Sequence, residues 1–128
     1  MNEERIKKLI RELIIEIGED PTREGLAKTP ERVARAYKEI FGGYDTNSNL
    51  SVQFSEDSEA VVVRDIQFYS VCEHHMLPFF GNVQIAYSPN GRVFGISKLV
   101  RLVEKYSKRL QIQERMTKNI ADELFSHG

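Results

Sequence analysis

The stretch "VVVRDIQFYSVCEHHMLPFFGNVQIAY", residues 61–87, decides the fold because it combines strand-forming patterns with the only cysteine of the chain. Its opening β-branched run is typical of a strand, but the alternation of apolar side chains changes parity after Val63. An extra residue in one strand would restore a single buried face. We therefore predict a strand over residues 60–71 with a bulge near Arg64 and Asp65.

A second strand pattern ends the same stretch, where apolar side chains alternate at Val83, Ile85 and Tyr87. The following "SPNG", residues 88–91, favours a tight turn because asparagine and glycine tolerate positive φ. We predict a hairpin between this strand and the run "RVFGI", residues 92–96. A sheet of so few strands has open edges, so we expect it to pair with further strands or with another subunit.

Helical patterns lie on both sides of these strands. Apolar residues at helical spacing predict a first amphipathic helix that ends near Gly18, and Thr29 is predicted to cap a second helix. Ser97 is predicted to cap a third helix, and a break near residues 110–113 separates a fourth. The glycine- and asparagine-rich segment 42–51 is predicted to be a linker or mobile loop.

Length and composition limit the possible functions. The chain has 128 residues, and we divide it into an N-terminal helical region, 1–48, and a second region, 49–128. Its net charge of -1 creates no general attraction for nucleic acid or an acidic membrane. No apolar run approaches membrane-spanning length, and no signal peptide is visible. One cysteine forms no internal disulfide, so a reducing cytoplasm is the predicted compartment.

The cysteine lies in a cluster of chemically active side chains. Cys72 and His75 have the C-x-x-H spacing from which a thiolate and an imidazole can reach one zinc ion. A catalytic zinc needs a third ligand, and a lone cysteine is most often a small buried hydrophobe, so the structural alternative stays open. His74 suits a proton donor or acceptor, or else faces solvent. Glu73 adds a carboxylate to the cluster.

The segment "GISKLVR", residues 95–101, is a candidate anion site. It places Ser97, Lys98 and Arg101 at the start of a helix, where free N–H groups and the helix dipole favour a phosphate. The alternative is that both basic residues are ordinary solvated helix charges.

The segment "QIQERMT", residues 111–117, is a candidate purine site. It contains Gln113 and Glu114, and a carboxylate can accept two parallel hydrogen bonds from the N1–H and amino group of guanine. The alternative is that Glu114 is a first-turn acid that its own helix dipole stabilises.

Three stretches together resemble the GTP cyclohydrolase I family in sequence and order: "EDPTREGLAKTPERVA" (19–34), "SVCEHHMLPFFG" (70–81) and "GISKLVRLVEKYSKRLQIQERMTKNIA" (95–121). The similarity extends from about Ile6 to Phe125. It implies an α+β tunnelling fold, or T-fold, in which an antiparallel sheet is backed by two helices and preceded by an N-terminal helical pair. It also implies a homodecamer with active sites between subunits.

The resemblance further implies a reaction: GTP is hydrolysed to 7,8-dihydroneopterin triphosphate and formate, the first step of tetrahydrofolate and pterin biosynthesis. Zn²⁺ would be held by Cys72 and His75 and would activate the attacking water, while His74 protonates the imidazole ring of the purine. The other implied site residues are Glu73 and Ser97 for catalysis, Lys98 and Arg101 for the triphosphate, and Gln113 and Glu114 for the guanine edge.

The chain departs from the family pattern at its C-terminal end. Family members continue into two more strands with a His-x-Cys element that supplies the third zinc ligand, whereas this sequence has no second cysteine and ends at "ELFSHG", residues 123–128. We interpret it as an incomplete, N-terminal portion of the enzyme, whose activity alone depends on a third zinc ligand from elsewhere. One alternative is a degenerate T-fold module that binds nucleotides or regulates a homologue without zinc catalysis. Another is a sister enzyme for a different purine or pterin, which the combined motifs disfavour.

Overall fold

The computed structural model describes residues 1–127 and contains two compact units, Met1–Ile40 and the chain from Phe41 onward. The boundary that we predicted between residues 48 and 49 lies inside the second unit. None of the described helices is long and apolar enough to cross a membrane. The elements in chain order are α1 Glu3–Glu16, α2 Thr29–Ile40, a 3₁₀ helix Gly42–Asp45, β1 Gln53–Ser55, β2 Val61–Cys72, β3 Pro78–Tyr87, β4 Arg92–Phe94, α3 Ile96–Ser107, β5 Leu110–Gln111 and α4 Gln113–His127.

The first unit consists of α1 and α2, which contact each other. The side chain of Asn2 caps α1 by accepting a hydrogen bond from the backbone N–H three residues later. Ile14 is the buried residue of α1 and Ala34 that of α2. The predicted capping role of Thr29 is wrong: it is the first residue of α2, and its hydroxyl donates to the carbonyl of Gly25 at 3.4 Å.

The long strand β2 contains the predicted bulge. The antiparallel register of β2 and β3 shifts between Val63 and Ile66, where Arg64 and Asp65 together lie opposite Gln84. Asp65 adopts a φ of 58°, and its backbone N–H donates to the side-chain oxygen of Gln84 at 3.0 Å. The bulge is confirmed, and it lets both halves of β2 bury apolar side chains on the same face.

The predicted hairpin between β3 and β4 is wrong. The chain does turn at Gly91, which has a φ of 80°, but β4 pairs with β1 in a separate two-stranded sheet. β3 instead pairs along its length with β2, giving a three-stranded sheet of order β3-β2-β5. The hydroxyl of Tyr87 accepts a hydrogen bond from the N–H of Phe94 at 3.0 Å, so the two sheets are joined by a side chain rather than by a ladder.

The core of the second unit lies where α3 and α4 pack against the three-stranded sheet. This confirms the predicted α+β class, with an antiparallel β2–β3 pair backed by two helices and β5 added in parallel. Both helices contribute fully buried aliphatic side chains. The core cluster contains Leu50, Ile66, Phe68, Ile85, Phe94, Leu99, Leu102, Val103, Met116 and Ile120.

The start of α3 differs from the prediction. Gly95 is its N-cap, in extended conformation, and the backbone N–H of Lys98 donates to the Gly95 carbonyl at 2.9 Å. Ser97 therefore lies inside the first helical turn, where its side chain is exposed. The expected capping role of Ser97 is wrong because the N-cap of the helix lies two residues earlier, at Gly95.

The segment 42–51 is not the mobile linker that its composition predicts. Gly43 packs against the end of α3, and its N–H donates to the carbonyl of Lys108 at 3.0 Å. A methyl group at Gly43 would meet three backbone carbonyl oxygens of α3 and its C-terminal end at 2.5–2.9 Å. Leu50, later in the same segment, is 1% exposed and belongs to the core.

An arginine reinforces this contact. The guanidinium of Arg109 lies 5.1 Å from the ring centroid of Tyr44 and 4.8 Å from that of Tyr106, and it donates to the carbonyl of Gly43 at 3.3 Å. The hydroxyl of Tyr44 accepts a hydrogen bond from the N–H of Leu110 at 3.0 Å. The 3₁₀ helix is thereby fixed to the segment that leads from α3 into β5.

Candidate functional site

The turn between β2 and β3 carries the predicted metal ligands. Two short backbone hydrogen bonds close this turn. The N–H of Met76 donates to the carbonyl of Cys72, and the N–H of Cys72 donates to the carbonyl of Leu77, both at 2.7 Å. Met76 adopts a φ of 57°, which makes the reversal tight. Cys72 is half-buried at the end of its strand, whereas His74 and His75 are exposed on the turn.

The donor set of this turn suits zinc in kind but not in number. A thiolate and an imidazole are typical zinc ligands, and Cys72 and His75 lie within one turn of chain. Among residues 1–127, however, no group of three histidine, cysteine, aspartate or glutamate side chains could hold a metal ion. The rings of His74 and His75 are 6.4 Å apart and inclined at 74°, so they do not stack. The described residues therefore do not make a complete catalytic zinc site.

Strand β5 brings a second segment to this turn. It pairs in parallel with the end of β2, with Cys72 opposite Gln111, and the N–H of Glu73 donates to the carbonyl of Gln111 at 3.1 Å. The Gln111 side chain is buried and donates to the carbonyl of Tyr106 at 2.9 Å, which holds β5 against the end of α3. The first residues of α4 consequently lie beside the turn.

The first turn of α4 presents the predicted purine-reading side chains. Gln113 and Glu114 are both exposed there. The next residue, Arg115, donates two hydrogen bonds to Glu73, from Nη1 to Oε2 at 2.6 Å and from Nη2 to Oε1 at 2.9 Å. These bonds lower the pKa of Glu73 below its ordinary value and raise that of Arg115. The ion pair between Glu73 and Arg115 thus joins the turn to α4.

Arg115 is a residue of this site that the sequence did not reveal. It is part of the quoted "QERMT", but its partner lies 42 residues earlier in the chain. Neither helical spacing nor local motif links two residues at such a distance.

The predicted phosphate-binding residues lie on the first turns of α3. Lys98 is half-buried, while Ser97 and Arg101 are exposed. In the part of the chain that the structure describes, no hydrogen bond or ion pair joins these side chains to the Cys72 turn or to α4. The structure therefore links the turn with the start of α4 and leaves the basic pair as a separate group.

A groove of about 380 Å³ runs beside this site, between β3 and α4. Its walls are mainly apolar and include Phe68, Ile85 and Ile120; of the predicted site residues, Gln113 lines it. Neither the thiol nor the two imidazoles of the turn faces this groove. We take the turn, rather than the groove, as the candidate site because the reactive side chains are there.

The arrangement of α3, α4 and the β2–β3 pair is that of the α+β tunnelling fold. The family model of GTP cyclohydrolase I matches residues 6–128, and the chain belongs to the GTP cyclohydrolase I family.

Relatives support the same membership. The chain is 56% identical over 120 residues to a protein of Hyperthermus butylicus named GTP cyclohydrolase 1, a match that covers 94% of this chain and 62% of that protein. It is 51% identical over 130 residues to a protein of that name from Clostridium kluyveri, covering 99% and 70% of the two chains. A Corynebacterium glutamicum protein of that name is 55% identical over 128 residues, covering 96% and 65%. The chain thus spans roughly two thirds of the length of these relatives.

Proposed function

We propose that this chain takes part in the hydrolysis of GTP to 7,8-dihydroneopterin triphosphate and formate, the first step of tetrahydrofolate biosynthesis, in the cytoplasm. The observation that carries the proposal is the parallel β2–β5 pairing, which brings the turn containing His74 beside Gln113 and Glu114. A proton-transferring group and a guanine-recognising group can then act on one purine. Family membership, and relatives that bear the name GTP cyclohydrolase 1, support the same reaction.

Recognition of the substrate is divided between two helices in this proposal. The exposed carboxylate of Glu114 accepts hydrogen bonds from N1–H and the amino group of guanine, with Gln113 completing the contact to the base edge. Lys98 and Arg101 bind the triphosphate near the N-terminus of α3, where the helix dipole also favours anions. Adenine lacks this donor pair, so the site should prefer GTP to ATP.

Three side chains are proposed for the chemical steps. His74 transfers a proton at the imidazole ring of the purine, since its ring is exposed on the turn and an imidazole can both donate and accept a proton. Ser97 assists the later rearrangement of the ribose. Glu73 contributes indirectly, because both of its oxygens are already bonded to Arg115.

Zinc enters the proposal through Cys72 and His75 alone. Their thiol and imidazole suit the metal, but a third protein donor would have to come from outside residues 1–127. We therefore derive no step through the metal.

Assembly into a homo-oligomer, a decamer in the family, is also part of the proposal. The outer face of the sheet carries Tyr69 and Phe80, which are 70% and 76% exposed and have ring centroids 6.0 Å apart. An exposed aromatic pair beside a strand whose outer edge is unpaired, as that of β3 is in the described sheet, is a typical feature of a protein interface. No nucleic acid or membrane partner is proposed.

A second candidate function is nucleotide binding without zinc catalysis. It is favoured by the donor count, since the described residues offer no group of three metal ligands. In that case the guanine and phosphate contacts would remain while hydrolysis is absent.

The test combines binding with turnover. We expect GTP to raise the melting temperature of the chain more than ATP does, because a ligand stabilises the state that binds it. Glu114→Ala should remove this preference, whereas Asp122→Ala, an exposed acid on the same helix, should keep it. Equal effects of GTP and ATP on the wild-type chain would contradict the proposed substrate.

Formate release distinguishes the two candidate functions. It is measured with GTP and added zinc on the same preparation. GTP-specific stabilisation with formate release supports the hydrolase. The same stabilisation without formate release is the result for either an incomplete hydrolase or the nucleotide-binding module. Formate release after the two C-terminal strands of a relative are appended then supports the hydrolase, and its continued absence supports the module.

A further inference from the structure

The ion pair between Glu73 and Arg115 joins two elements that are distant in sequence. The two terminal guanidinium nitrogens of Arg115 each donate to a different carboxylate oxygen of Glu73, at 2.6 and 2.9 Å, in the planar two-bond geometry that fixes orientation as well as distance. By contrast, Lys118 on the same helix pairs with Asp122 through one contact within α4. Of these two pairs, the one at the site is the pair that restricts how two elements face each other.

The neighbours of each partner show what this restriction affects. Glu73 lies between Cys72 and His74 on the turn, and Arg115 directly follows Glu114 on the first turn of α4. The backbone bond from Glu73 to Gln111 fixes the turn to β5, but it does not set the direction in which α4 begins. Met116 and Ile120 hold α4 in the core, and the ion pair, one helical turn beyond Gln111, fixes how the exposed side of the first turn of α4 faces the turn.

Stability alone does not account for such a contact. The side chains of Arg115 and Glu73 are 47% and 28% exposed, and solvent screening leaves exposed ion pairs with little net contribution to folding. Removal of the pair should therefore leave the chain folded and α4 in the core, while the exposed side chains of its first turn lose their fixed orientation against the turn. Removal of the ion pair would mainly disturb the local orientation of the first turn of α4.

We propose that Arg115, through Glu73, is a positioning residue. It orients the guanine-reading side chains of Gln113 and Glu114 against the turn between β2 and β3. The inference rests on the proposed function, because it concerns the same nucleotide site. Arg115 itself does not contact the nucleotide. Its loss should therefore weaken the recognition of guanine and leave the binding of the triphosphate unchanged.

The experiment measures the affinities of GTP and ATP by calorimetry for the wild-type chain, Arg115→Gln and the control Lys118→Gln. The control removes the same charge from the same helix, away from the turn. Arg115→Gln should weaken GTP binding by up to about fivefold, with ATP binding and melting temperature unchanged. Lys118→Gln should bind both nucleotides like the wild type.

The exchanged pair Glu73→Arg with Arg115→Glu provides a rescue. It should recover part of the lost GTP affinity, because the salt bridge can form in the opposite direction. A merely structural role would lower the affinity for both nucleotides together with the melting temperature.

The possible outcomes distinguish failure of the proposed function from failure of the positioning role of Arg115. A wild-type chain with no preference for GTP overturns the proposed function and this inference with it. A wild-type preference that Arg115→Gln retains overturns the inference alone. Equal losses of GTP and ATP affinity in Arg115→Gln overturn it as well: with a lower melting temperature they indicate a structural role, and with an unchanged one they indicate a contact with the phosphates.

Discussion

Replacement of Gly43 with alanine should destabilise the second unit, although glycine at this position has no left-handed φ to explain its presence. The added methyl group would lie 2.5, 2.7 and 2.9 Å from the carbonyl oxygens of Lys105, Lys108 and Glu104. These are backbone atoms at the end of a helix and do not move as a flexible side chain does. The 3₁₀ helix must therefore shift away from α3.

The cost can be worked from the contacts that such a shift breaks. The hydrogen bonds from Gly43 N–H to Lys108 and from Arg109 to the Gly43 carbonyl contribute about 1 kcal/mol each. The contact of Arg109 with Tyr44 adds about 0.5–1 kcal/mol, and residual overpacking adds about 1 kcal/mol or more. The lower entropy of the unfolded alanine variant returns up to about 1 kcal/mol. We expect a net loss of about 3 kcal/mol.

Gly42→Ala is the matched control, because a methyl group there meets nothing within 4 Å. The measurement is urea unfolding followed by far-ultraviolet circular dichroism, which suits a chain without tryptophan. With a typical urea slope of about 1–3 kcal/mol per molar, Gly43→Ala should lower the midpoint by about 1–3 M. The Gly42 variant should stay within about 1 kcal/mol of the wild type. Equal midpoints for the two variants would refute the packing of the 3₁₀ helix on α3.

Two further predictions concern stability. Leu102→Ala should lower the free energy of unfolding by about 2–5 kcal/mol because it leaves a cavity at a fully buried position. Val100 is 37% exposed on the same helix, so Val100→Ala should lower it by less than about 1 kcal/mol. Urea midpoints test both variants, and similar losses would contradict the assigned core. The carboxylate of Asp20 accepts bonds from the hydroxyl and the backbone N–H of Thr22, at 2.6 and 2.9 Å, which lower its pKa. Its contribution to stability is therefore present above the ordinary aspartate pKa and is lost as the pH falls below about 4, so Asp20→Asn should flatten this part of the stability profile. An unchanged acid limb in unfolding midpoints measured from neutral to acid pH would contradict this reading.

The sequence was most informative about β2. The change of parity after Val63 predicts a bulge, because only an extra residue lets both halves of the strand bury apolar side chains on one face, and the structure has it at Asp65. Turn chemistry was less informative. Gly91 adopts the predicted positive φ, but a turn does not determine which strands pair across it. The predicted β3–β4 hairpin is wrong because β4 pairs with β1, while β3 pairs with β2.

The candidate site shows a similar division. The spacing of Cys72 and His75 and the adjacent pair Gln113 and Glu114 could be predicted as separate local motifs, and their functional roles stay predictions. Their proximity depends on β5, which has two residues and is too short to give a periodic pattern. The contact of Arg115 was equally inaccessible, because long-range ion pairs leave no local signal.

The bulge in β2 also has a consequence for how the chain folds. In a regular hairpin, a slip of two residues preserves the alternation of faces, so slipped pairings compete as kinetic traps. Here a slip would separate the N–H of Asp65 from the Gln84 side chain. It would also place Asp65, with its positive φ, opposite a position of regular strand pairing. Misaligned hairpins should therefore be short-lived. The reactive turn would then form with the correct length in nearly every folding attempt.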